Sequence, residues 1–222
     1  MESLAECLTK ALHAPVDRGG VVAGYVRRAT DVKAALAAVR VLGPDVFAPA
    51  LLAGAPPGRE DREVVAEALR VFPAGSAEPF EVVALAEAQA AVVTRSDHPD
   101  AGVRHHRTEG TPLTAADWVS FTQRLARMSS LALPGCETAV TRLARRRVLD
   151  VGRGVARAML RRDYPTAARL ARWSALVNGG GAEGLRLEPV VGHLVQCGSS
   201  SARMALDVGV LQRLSSALRE ER

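Results

Sequence analysis

Phe80-Glu-Val-Val-Ala-Leu85 and, four residues on, Ala90-Ala-Val-Val-Thr94 are the stretch on which the fold turns. Both are short apolar runs with paired valines, the composition of buried strands. Val46-Phe-Ala-Pro-Ala-Leu-Leu-Ala53 reads as a further strand, with Pro49 as its weak point. Together they set helices and strands alternating in the order α-α-β-α-β-(α)-β. The expectation is an α/β fold: a small three-layer α-β-α sandwich over residues 1–128, followed by an all-helical extension over 129–222.

Helical signals surround these runs. Leu4, Leu8, Ala11 and Leu12 share one face, ended by Pro15 and Gly19-Gly20. Thr30-Asp31 opens a helix with Val32, Leu36 and Val39 on one side and Gly43-Pro44 at its close. Residues 60–72 keep helical period through Val65, Ala68, Leu69 and Phe72, with acidic residues in the first turn. Beyond Thr114 the strand signals stop. Trp118, Phe121 and Leu125 make one helical face. Ala144, Val148, Val151, Val155 and Met159 make another within residues 137–162, with arginines on the remaining faces. Further helices are expected from Pro165 to the glycines at 179–181, over 189–196, and from Ser201 onward.

Composition bounds the function. The chain has 222 residues, 48% of them hydrophobic, and a net charge of +5. Residues 1–112 hold 12 Arg/Lys against 15 Asp/Glu, whereas residues 113–222 hold 17 Arg against 9 Asp/Glu. Such asymmetry predicts two parts facing different surroundings. No apolar run approaches the roughly 20 residues of a membrane span, and the charged start does not read as a signal peptide. Cys7, Cys136 and Cys197 lack CxxC spacing, so the expected setting is intracellular and reducing, cytoplasm or nucleus. Lysine occurs only at Lys10 and Lys33, asparagine only at Asn178 and isoleucine nowhere, which marks a GC-rich coding sequence.

Residues 4–119 resemble the growth-arrest and DNA-damage-inducible family of stress sensors. The resemblance is carried, in order, by Val21-Val-Ala-Gly-Tyr25, Val39-Arg-Val-Leu42 with Pro44-Asp45, and Ala50-Leu-Leu-Ala-Gly54. Glu63-Val-Val-Ala-Glu-Ala-Leu-Arg-Val-Phe72, Phe80-Glu-Val-Val-Ala-Leu85, Ala88-Gln-Ala-Ala-Val-Val93 and Asp117-Trp-Val119 follow. It implies a central sheet between helices, self-association as a homodimer, and docking onto a kinase, cell-cycle regulator or clamp protein. By the same resemblance Val64, Ala68 and Val71 form an exposed contact face, while Val65, Leu69 and Phe72 point to the core. The chain departs from the family where Ala55-Pro-Pro-Gly-Arg-Glu-Asp61 replaces a carboxylate run, in about ten extra residues near 27–36, and in its basic second half. A captured and diverged viral copy acting on host signalling would reconcile an animal family with such GC-rich coding.

The second half offers a basic partner surface: Arg142, Arg145, Arg146, Arg153, Arg157 and Arg161. A solvated helix face in an arginine-rich chain is the first reading of these residues, docking of an acidic protein the second, and a nucleic-acid or phosphoinositide surface the third, since clustered arginine neutralises phosphates. Val148-Leu-Asp-Val-Gly-Arg-Gly-Val-Ala156 has the look of a methyltransferase strand and glycine turn, making an S-adenosylmethionine-dependent enzyme around Asp150 and Gly154 the alternative. Too few βα units follow it to complete such a fold. His98 with Asp97, Asp100, His105 and His106 has loop composition better suited to solvated side chains than to a metal site. Ser199-Ser-Ser201 suits a helix cap, and Cys136 and Cys197 suit small buried hydrophobes. No catalytic constellation, metal or cofactor is expected, and the protein reads as a non-enzymatic adaptor.

Overall fold

The computed structural model of the chain describes residues 2–14, 20–75, 77–97, 113–177, 185–198 and 201–220. They fall into two units: Met1–Arg104 with Leu133–Cys136, and His105–Ala132 with Glu137–Arg222. Position 128, expected as the boundary, therefore lies within the second unit.

The regular structure of the first unit is helical. Helix α1 (Leu4–His13) starts at a capping box, the Ser3 hydroxyl accepting from the Glu6 N–H while the Glu6 carboxylate accepts from the Ser3 N–H. Helix α2 (Val21–Arg28) follows Gly20, which has no side chain to cap it. The cap comes instead from Asp61, whose Oδ1 accepts from the Ala23 N–H at 2.8 Å. Helix α3 (Val32–Leu42) is capped by Asp31 and ends at Gly43, whose φ of 63° favours glycine. A 3-10 turn (Gly43–Phe47) leads into α4 (Ala48–Leu52), and α5 (Arg59–Val71) and α6 (Phe80–Asp97) complete the unit. Val32–Leu52 has the length and hydropathy of a membrane span, yet 56% of an apolar 18-residue window within it is buried in the unit.

These helices overturn the three-layer α-β-α sandwich: no strand occurs among the described residues. Residues 46–53, expected as a strand, form the 3-10 turn and α4, with Pro44 and Pro49 each placed in the first turn of a helical segment, where proline fits. The two runs at 80–85 and 90–94 are parts of one 18-residue helix, α6. No glycine or proline interrupts residues 80–97, and the alanines between the valine pairs have the best helix propensity. The buried positions of α6 are Glu81, Ala86, Ala88, Gln89 and Val92. Two of the five are polar, so hydrophobicity alone does not display the helical period. The buried Gln89 Nε2 donates to the Val39 and Gly43 carbonyls, covering the end of α3.

The second unit contains α7 (Trp118–Arg127), a 3-10 turn (Ser129–Leu131), α8 (Ala139–Arg146), α9 (Val148–Leu160), α10 (Tyr164–Val177), α11 (Leu187–Gln196) and α12 (Ala202–Glu220). Its helical character is as expected, except that residues 137–162 break at Arg147 into α8 and α9. Helix α10 is its spine and packs on α7, α9, α11 and α12. Trp173 is fully buried, and its indole N–H donates to the Leu125 carbonyl at 3.0 Å, so the large ring leaves no polar group unsatisfied. Gly154 lets α9 approach closely: a Cβ there would lie 2.8 Å from Thr122 Cγ2 and 3.0 Å from Leu170 Cδ1.

Asp207 of α12 is buried among three arginines. Arg172, itself fully buried, donates to its Oδ1, while Arg169 Nε and Arg203 Nε lie 3.3 and 3.2 Å from its Oδ2. Burial alone would raise the Asp207 pKa. The charges of Arg203 and Arg172 and their hydrogen bonds overcome that and hold it below the ordinary value.

Candidate functional site

The expected basic surface lies on α8 and α9, which turn their arginines two ways. Arg147 points inward: its Nε donates to Asp150 Oδ2 at 2.8 Å, its Nη1 to the Ala116 carbonyl at 2.9 Å, and its guanidinium lies 4.1 Å from the Phe121 ring centre. Arg169 and Arg172 are also tied internally, through Asp207. The six named arginines are placed otherwise. Arg145, Arg146, Arg153 and Arg161 are exposed, and Arg142 and Arg157 are half-buried. Arg145 makes a two-pronged bond to Glu137 at 2.6 and 2.7 Å, Arg153 reaches Asp150 Oδ1 at 3.1 Å, and Arg157 lies 5.7 Å above the Trp118 ring. Among the described residues Arg146 and Arg161 have no carboxylate partner.

One outer line of α9 carries Leu149, Arg153, Ala156 and Leu160, all exposed. Spacings of four, three and four put them on one helix face. Leu149 is 58% exposed and Leu160 87%, on a helix whose inner face buries Val151, Gly154, Val155 and Ala158. Eleven residues separate the two leucines, roughly 16 Å along the axis. Of the nearby carboxylates, Glu137 and Asp150 are already bonded to Arg145 and to Arg147 and Arg153, and Asp163 accepts from the Thr166 N–H. The result is two exposed leucines framed by arginines. Sequence reading found the arginines but missed the leucines, although their spacing of eleven was visible.

The α5 positions differ from the expected contact face. Ala68 is fully buried, because it shares the inward side of α5 with Val65. Val64 and Val71 are half-buried, as are Leu69 and Phe72. Ala68 is therefore removed from the face, and Val64 and Val71 are not joined by it into an exposed patch.

Val148–Leu160, the stretch containing the methyltransferase-like sequence, is helix throughout, so the strand and turn that such a cofactor site requires are not formed there. Gly154 admits Thr122 and Leu170, and Gly152 lies near Leu185. His98, Asp100, His105 and His106 lie outside the described residues, and among those described no three metal-binding side chains converge. Ser201 Oγ accepts from the Met204 N–H at 3.2 Å and starts α12, the expected cap. Cys136 is buried as expected, whereas Cys197 is exposed at the end of α11.

No protein-family model, curated protein or solved structure matches the chain. What defines the molecule is therefore its own geometry: two helical units, the second with a basic face centred on two leucines.

Proposed function

We propose that the protein is a non-enzymatic adaptor that uses the outer face of α9 to hold a carboxylate-rich segment of a partner protein. The supporting observation is the exposed line of Leu149, Arg153 and Leu160 on α9, with exposed Arg146 and Arg161 just beyond the two ends of that helix. A single exposed leucine is ordinary. Two on one line of a helix, framed by cations, match the needs of helix recognition, in which apolar anchors supply affinity and charge supplies orientation and association rate. Nucleic acid fits less well. Phosphates would engage the arginines but leave the leucines facing a hydrated polyanion, and Trp118, an aromatic near the face, lies beneath Arg157. The homodimer and the kinase or cell-cycle docking implied by the stress-sensor resemblance gain no support from α5, since Ala68 is buried and the sheet is absent among the described residues.

The test is affinity purification from a nuclease-treated lysate, followed by reconstitution with the recovered protein in purified form. Leu149→Glu with Leu160→Glu alters exposed side chains alone, so stability should move by about 0.5 kcal/mol or less per site. An acidic protein should bind the wild type stoichiometrically, bind the double variant at least about tenfold more weakly, and dissociate as salt is raised. Tight binding of purified nucleic acid, equal in both forms, would sink the adaptor reading. So would stoichiometric binding of S-adenosylmethionine.

A further inference from the structure

The first unit contains a groove of about 520 Å³ with apolar walls from Ala37, Val41, Val71, Phe72, Val82 and Leu85. That volume falls in the range of small-molecule sites, roughly 300–1,000 Å³. Val41 on its wall is 76% exposed.

Arg40 also lines the groove, and its side chain is 10% exposed. A guanidinium carries five N–H donors and is always charged. Arg40 Nε donates to the Phe72 carbonyl at 3.1 Å, covering the end of α5. Its other contact among the described residues is an ion pair at 3.9 Å, from Nη2 to Glu78 Oε2. That is too long for a hydrogen bond. Glu78 has a 40% exposed side chain and also lines the groove. The terminal nitrogens of Arg40 are not among the buried polar atoms that lack a partner, so they face the water of the groove, where an anion can reach them.

We infer that this groove binds a small amphiphilic monoanion, a carboxylate on an apolar chain, with the carboxylate on Arg40 and the chain along Val41, Val71, Val82 and Leu85. The planar fork of the guanidinium matches a carboxylate in two-pronged geometry. Glu78 sets the charge of the ligand. It is exposed enough to swing aside for a monoanion, but it would repel a dianion such as a phosphate monoester. The site is independent of the α9 face and lies in the other unit.

Calorimetric titration of the full chain with decanoate, below its micelle concentration, and with decanol under the same conditions tests the inference. Decanoate should bind one to one and at least about tenfold tighter than decanol, the worth of a charge-assisted hydrogen bond. Glu78→Gln removes the competing carboxylate from an exposed position and should tighten decanoate severalfold while leaving decanol unchanged. Val41→Glu, also at an exposed position, should weaken decanoate at least about tenfold by placing a like charge on the wall. Arg40→Met should erase the preference for decanoate, and the two exposed-site variants keep the test decisive should that one unfold. Equal binding of decanoate and decanol, no binding of either, or indifference to Glu78→Gln would overturn the proposal. So would a concentration-dependent dimer that Val41→Glu dissociates, which would give the groove to a second copy of the chain.

Discussion

Two carboxylates, the half-buried Asp61 of the first unit and the fully buried Asp207 of the second, are held in opposite ways. Asp61 in the first unit accepts from the backbone N–H groups at the start of α2, with Glu60 beside it. Burial wins over those hydrogen bonds and raises its pKa above the ordinary 3.8. Asp207 in the second unit is more deeply buried, yet three arginines reverse the outcome and lower its pKa. Burial alone therefore does not decide the charge state of an interior carboxylate; the partner does. Backbone donors make Asp61 a cap that tolerates a proton, whereas guanidinium groups make Asp207 a counter-ion that does not.

The largest expected effect breaks the second arrangement. Asp207→Asn keeps the shape but leaves Arg172 buried without its counter-charge, and should cost about 3–5 kcal/mol in denaturant unfolding. Arg203→Gln should cost clearly less, because Arg203 is partly exposed and Arg172 and Arg169 still hold the carboxylate. If both variants cost the same, the cluster acts as an indivisible network and not as a counter-ion with a buried anchor.

An intermediate effect is expected at Gly154. Alanine there would place a methyl group 2.8–3.0 Å from Thr122 and Leu170, so α7 and α10 must give way, at about 1–3 kcal/mol. Gly152→Ala, whose new Cβ would meet Leu185 at 3.7 Å, should be neutral or slightly stabilising through helix propensity. Thermal unfolding of the two variants separates a packing glycine from one that is merely tolerated.

The same contrast explains what the sequence could show. Local signals were legible: Leu4, Leu8 and Leu12 share the buried face of α1, Thr30-Asp31 opens α3, and Gly43-Pro44 ends it. The arginine-rich helices of the second unit were legible from spacing alone. What escaped depended on distant partners. Helix α2 has no cap of its own, because Asp61 supplies one from 38 residues away. Helix α6 buries Glu81 and Gln89, so its stripe did not show in hydrophobicity and its valine pairs read as strands. The fully buried run 43–48 carries no period to distinguish helix from strand. Which arginines of 142–172 turn inward is fixed in part by Asp207, which lies outside that segment altogether.

The smallest expected effect tests the first arrangement through pH. Because the folded pKa of Asp61 is raised, its contribution to stability is fully present below 3.8 and is lost as pH rises through the folded value. At neutral pH the ionised cap is therefore working against its own burial. An asparagine in its place would retain an acceptor oxygen for the α2 N–H groups without the charge, and asparagine caps about as well as aspartate. Asp61→Asn should thus change stability at pH 7 by less than about 1 kcal/mol, and any gain over the wild type should shrink as pH falls toward 3.8. Asp207 has the reverse sign: its contribution is present above 3.8 and is lost as pH falls through its lowered folded value. Acid unfolding of the Asp61→Asn variant and the wild type, followed from pH 7 downward, reads the difference directly. A wild type that loses ground to the variant on acidification would mean that Asp61 is held as an ion after all, and the two carboxylates would then belong to one class.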